Sequence, residues 1–152
     1  IISCQAYAED TVIVNDHDIS AIKDCWQKNS DDDTDINVIK SCLRQEYNLV
    51  DAQLNKAYGE AYRYIEQVPR TGVKKPDTEQ LNLLKKSQRA WLDFRDKECE
   101  LILSNEDVQD LSDPYSESEW LSCMIIQTNT RTRQLQLYRN SEDFYPSPLT
   151  RG

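Results

Sequence analysis

The sequence predicts a small all-α protein: a disulfide-stapled bundle of three long helices with a short N-terminal one. Three observations carry that expectation. Apolar residues recur at spacings of three and four along three long stretches, as amphipathic helices require. The 152 residues include only 3 glycines, too few for a sheet with many tight turns. Five cysteines stand beside a single histidine, and none of them forms a CxxC pair, which favours disulfides over a zinc site.

The length suits one domain with a real core. Hydrophobic residues are 38% of the chain and charged residues 30%, and no apolar run approaches a membrane span. The net charge of -9 repels phosphate backbones, so nucleic acid is not expected as a partner. It suits a basic protein partner, and it also maintains solubility.

Residues 1–8, Ile1 to Ala8, read as a signal-peptide remnant. Ala6-Tyr7-Ala8 fits the small-residue pattern before a cleavage site. An alternative is a lipobox at Ile1-Ile2-Ser3-Cys4, in which Cys4 would be acylated, and another is a plain mature N-terminus. The first two imply export, hence a periplasmic or secreted protein. Cys25, Cys42, Cys99 and Cys123 then form an even set, and four cysteines allow three pairings.

Residues 9–18 read as a polar segment containing the lone histidine, His17. A short helix is expected over 19–27, with Ile19, Ile22 and Trp26 apolar. The acid cluster Asn29 to Asp35 lacks the glycine and distal glutamate of a calcium loop, so it reads as a solvated loop supplying helix caps. A long helix over 36–68 carries Leu43, Tyr47, Val50, Leu54, Ala57, Ala61, Ile65 and Val68 as its stripe. Pro69, Gly72 and Pro76 end it. Asp77, with Gln80, caps a second long helix running to Ser104, whose stripe is Leu81, Leu84, Gln88, Trp91, Arg95, Cys99 and Ile102. After an acidic link, Ser116 and Glu119 fit a capping box for a third, over 117–139. It carries Trp120, Met124, Thr128, Arg131, Leu135 and Tyr138. One domain over 19–140 and an irregular tail over 141–152 complete the layout.

Three segments in order carry a resemblance. They are "DAQLNKAY" (Asp51, Leu54, Asn55, Tyr58), "QRAWLDFRDKEC" (Gln88, Trp91, Arg95, Asp96, Cys99) and "CMIIQTNTRTRQL" (Cys123, Thr128, Arg131, Thr132, Leu135). With Cys25-Trp26 and Cys42 ahead of them, the chain from Cys25 to Leu135 resembles the LprI-like family of exported bacterial proteins, named for a lysozyme inhibitor. The link after Cys99 departs from the family pattern in being acidic and free of glycine. The resemblance implies a helical periplasmic or surface protein with paired cysteines. In that layout Cys25–Cys42 ties the short helix to the first long one, and Cys99–Cys123 staples an antiparallel pair across the acidic link.

The helix spacing puts polar groups on or beside each apolar stripe: Asp51, Asn55 and Tyr58 on the first long helix, Gln88 and Arg95 on the second, Thr128 and Arg131 on the third. A lone buried charge costs several kcal/mol. The expectation is therefore a buried polar network in which Arg95 or Arg131 pairs with Asp51; a ligand pocket is the alternative. Catalysis is not expected: there is no glycine-rich phosphate loop, GxSxG or HExxH, and His17 lies outside the motif set. No cofactor or metal is expected. The function expected is inhibition of a lysozyme or other peptidoglycan-cleaving enzyme. Alternatives are an immunity protein against a secreted antibacterial toxin and a structural cell-envelope protein. The contact is placed at Asp110, Asp113, Tyr115 and Glu117, acids around an aromatic anchor.

Overall fold

A computed structural model of the chain describes residues 16–27, 35–67, 78–104 and 113–138. Regular structure there consists of four helices: α1 (Asp16–Gln27), α2 (Ile36–Gln67), α3 (Thr78–Ser104) and α4 (Pro114–Leu137). The all-α bundle of one short and three long helices is the fold adopted. The signal-like stretch, the Asp77 cap, Asp110 and the C-terminal tail lie outside the described residues. His17 falls within α1, which begins three residues before the expected start at Ile19.

Two helix starts follow from single aspartates. Asp35 accepts from the Asn37 backbone N–H at 2.9 Å and from Asn37 Nδ2 at 2.8 Å. Its carbonyl takes the Val38 N–H at 2.8 Å. The Asn37 backbone N–H, then the Asn37 side chain, hold the Asp35 carboxyl below its ordinary pKa. At α4 the cap is Asp113, whose carboxylate accepts from the Ser116 N–H at 3.2 Å and from Ser116 Oγ at 2.9 Å. This corrects the expected Ser116/Glu119 capping box. Pro114 occupies the first turn of α4, where a fixed φ and a missing N–H cost nothing. The helix therefore starts earlier, and Ser116 and Ser118 are buried inside it.

Side-chain pairs set the register. Arg44 with Glu117 and Tyr47 with Trp120 join the N-terminal halves of α2 and α4. Ala57, Ala61 and Leu135 share a cluster towards their C-terminal ends. These two helices therefore run parallel. Along α3 the partners reverse: Gln88 meets Arg131, Arg95 meets Thr128, and Cys99 meets Cys123. So α3 is antiparallel to α4.

The core has three parts. Ile22, Ile39, Leu43, Val50, Leu121 and Ile125 pack where α1 meets α2 and α4. Leu54, Ala57, Ala61, Ile65, Leu81, Leu84 and Leu135 fill the opposite end. Cys99, Cys123 and Met124 lie between, with Tyr47 and Trp120 against them. Helix α4 touches all three others, so it buries Leu121, Ile125 and Thr132 in addition to its expected stripe. On α3 the buried residue of the last turn is Leu103, and the expected Ile102 is exposed.

The cysteines pair Cys25–Cys42 and Cys99–Cys123, with Cα–Cα separations of 5.6 and 5.7 Å. They close loops of 17 and 24 residues. In the chain-entropy model each contributes about 3 kcal/mol.

Candidate functional site

The polar residues on the inner faces form two arginine-centred groups, one above the other along the α3–α4 seam. Arg95 and Arg131 are each 7% exposed, but they are satisfied differently. Arg95 donates from Nε and Nη2 to Asp96 Oδ1, at 2.9 and 2.8 Å. Its Nη1 reaches Thr128 Oγ1 at 3.5 Å, the outer limit of a hydrogen bond. The guanidinium also lies over the Trp91 ring, 5.2 Å from its centroid, a cation–π contact.

Arg131 has polar neutral partners. Nε donates to Gln88 Oε1 at 2.9 Å, Nη2 to Ser87 Oγ at 2.9 Å and Nη1 to Gln134 Oε1 at 3.3 Å. Burial lowers its pKa from the ordinary arginine value, and Tyr138 opposes the shift. The expected pairing of Arg95 or Arg131 with Asp51 does not form. Asp51 faces along its own helix, accepting from Asn55 Nδ2 at 3.3 Å, and Asn55 is exposed. Tyr58 is half-buried against the cluster that contains Ala57 and Ala61. The physical reason is local: Asp96 is the next residue to Arg95 and is 52% exposed on its side chain. It satisfies Arg95 while remaining in water, which avoids burying a second charge.

Tyr47 belongs to the same layer. It packs against Trp120 at 6.3 Å between ring centroids. Burial pushes its hydroxyl pKa up; Arg95 pulls it back, while Asp51 and Asp96 add to the rise.

The second candidate region is the start of α4. Tyr115 is 49% exposed, and its ring meets Trp26 edge-on at 5.7 Å. The Trp26 indole N–H donates to Ser122 Oγ at 3.1 Å, which fixes the ring beneath Tyr115. Asp113, exposed, caps α4. Glu117 turns back onto α2, pairing with Arg44 and, at 3.4 Å, with Lys40. Sequence reasoning missed this pair of bridges. The available signal was Lys40 and Arg44 four residues apart, two like charges on one helix face that need an acid from elsewhere.

A groove of about 380 Å³ runs along Asn37, Val38, Ser41, Cys42 and Gln45. A smaller one of about 160 Å³ lies among Ile65, Gln80, Leu83, Leu84, Ser87 and Tyr138. Among the described residues no group of three or more His, Cys, Asp or Glu is placed to hold a metal ion. No helix there is long and apolar enough to cross a membrane.

Residues 25–135 match the family described as lysozyme inhibitor LprI. Over all 152 residues the chain is 99% identical to the protein YecT of Escherichia coli (strain K12), which covers 100% of this chain and 94% of that protein. A protein of Rhizobium meliloti (strain 1021) is 35% identical over 69 residues, 44% of this chain and 48% of that protein. No solved structure matches.

Proposed function

The chain belongs to the LprI family, and from that premise we propose that it is an exported protein that acts by binding. Its target on this reading is a lysozyme or another peptidoglycan-cleaving enzyme, which it inhibits. The observation that carries the reading is the extent of the family match, 25–135. That span takes in both disulfides and both arginine groups. Two disulfides support an oxidising compartment. A net charge of -9 supports a basic partner drawn in by long-range attraction.

The contact face in this proposal is the start of α4. Tyr115 is the aromatic anchor, backed by Trp26, with the exposed Asp113 beside it. Asp110 extends the same acidic stretch in sequence. Glu117 contributes by bracing α4 on α2 through Lys40 and Arg44, so its carboxylate serves the scaffold first.

The test is the rate at which basic lysozymes clear a peptidoglycan suspension, with and without the oxidised chain. Inhibition at low salt that weakens steeply as salt rises is expected, because steering and rim charges are screened within about 10 Å at 0.1 M. Lysozymes of every class running at full rate at low salt, with the chain in excess, would overturn the proposal.

A further inference from the structure

Helix α3 carries an apolar seam along one flank, made of residues outside the core. Leu83, Phe94 and Leu101 are 57, 53 and 57% exposed, and Ala90 between them is exposed too. Their spacings are seven, four and seven. With Ser87 and Lys97, also exposed, they complete an alternation of four and three, the a/d pattern of a helix that pairs with another helix. The seam flanks the buried face of Leu84, Arg95 and Cys99. At its N-terminal end Leu83 and Ser87 border the groove that Ile65 and Tyr138 also line, and Ser87 accepts from Arg131. It spans eighteen helical rises, about 27 Å.

We propose that this seam pairs α3 with the α3 of a second copy of the chain, antiparallel and about a two-fold axis between Ala90 and Phe94. The residue sizes favour that arrangement. Running in opposite directions, Phe94 of each copy sits over the small Ala90 of the other, and Leu83 sits over Leu101. Large residues then face small ones at the centre, and leucines meet at both ends. This is the self-complementarity that a two-fold interface needs, where i meets j and j meets i.

Charge selects the same partner. The whole chain is -9, so two copies repel at long range and pairing needs a local complementarity of charge. Helix α3 is neutral, its five acids balancing its five bases. Helices α2 and α4 are neutral as well, so what marks α3 is how its charges are placed along the seam-bearing helix. Those charges are segregated. Residues 78–91 carry Lys85, Lys86 and Arg89 against Glu79, a net +2, and residues 92–104 carry Asp93, Asp96, Glu98 and Glu100 against Arg95 and Lys97, a net -2. Antiparallel pairing sets the basic half of each copy against the acidic half of the other; parallel pairing would set like against like. A basic partner such as a lysozyme would meet the basic half of α3, Lys85, Lys86 and Arg89, as well as its acidic half. One helix pair is small beside the roughly 1,200–2,000 Å² of a stable complex, so the dimer is weak and forms at high concentration.

Sedimentation equilibrium of the oxidised chain over roughly 5–500 µM tests this. The expected result is a reversible monomer–dimer equilibrium. Phe94→Lys should raise the dissociation constant at least about tenfold with the helical circular dichroism unchanged, and Leu101→Lys should do likewise. In a Cys4→Ser background, Leu83→Cys mixed with Leu101→Cys should form a crosslinked heterodimer that neither variant forms alone. A monomer at every concentration, a dimer indifferent to both lysine substitutions, or crosslinking of Leu83→Cys with itself would each overturn the proposal.

Discussion

Arg95 and Arg131 carry the same charge at the same 7% exposure, yet removing them should have different consequences. Arg95 is held by a half-exposed carboxylate, a buried hydroxyl and an indole face. Its stem packs in the layer beside Trp91. Arg95→Ala should lower stability by about 2 kcal/mol, through lost packing and charged hydrogen bonds, read as a shift in the urea midpoint. Arg131 keeps a desolvated charge among neutral partners, two of which, Ser87 and Gln134, are exposed. Arg131→Met trades that charge for apolar volume, and stability should stay within about 1 kcal/mol of the parent. Tyr47 gives a pH signature. Its folded pKa lies above the ordinary 10.0 because burial favours the protonated form. Its contribution is therefore intact below pH 10.0 and is lost as pH rises through the folded pKa. Tyr47→Phe should flatten the alkaline fall in stability and leave the acid limb unchanged. At this scale the sequence identified Arg95, Thr128 and Arg131 as inward-facing but not whom they meet, and it turned Asn55 and Ile102 inward although both are exposed. Spacing marks Arg95 as inward-facing; that its acid would be the adjacent Asp96 and not Asp51 depends on how far each side chain lies from water.

Among the elements, α2 and α3 were legible almost to the residue, because long stripes and flanking breakers mark their ends. Helix α4 was less so. Being central, it is buried on more than one side, and a single stripe is a poor description of a helix that touches three others. Its start was displaced because Asp113–Pro114 reads equally well as part of the acidic link. Two predictions belong here. A Cβ at Gly59, in the interior of α2, would meet only Arg63 Nη2, at an ordinary 3.5 Å. Gly59→Ala should therefore raise stability by about 0.5–1 kcal/mol, seen in thermal or urea melts. The two disulfides should act over different ranges. Replacing Cys25 and Cys42 by serine should speed hydrogen exchange in α1 while the α2–α4 core stays protected. Replacing Cys99 and Cys123, which sit against Met124 in the middle of the core, should lower the global midpoint.

The whole molecule separates a satisfied interior from an exterior with two unlike faces. The start of α4 presents the half-exposed Tyr115 over Trp26 beside the exposed Asp113, the face proposed for a partner, and one flank of α3 presents an apolar seam. The ordered short motifs that carry the family resemblance are made mostly of inward-facing residues, among them the cysteines, Gln88, Arg95, Thr128 and Arg131, with Asn55 and Asp96 exposed. The partner surface could not be read with the same security, since binding depends on which polar groups the fold leaves available. Glu117, spent on Lys40 and Arg44, shows how folding changes that inventory. The most direct measurement compares Tyr115→Ala and Arg95→Ala in lysozyme binding and in melting temperature. The account predicts that Tyr115→Ala weakens binding about tenfold or more at an unchanged melting temperature, and that Arg95→Ala lowers the melting temperature while the folded protein binds as before. Lost binding in a stably folded Arg95→Ala, with Tyr115→Ala binding normally, would contradict it.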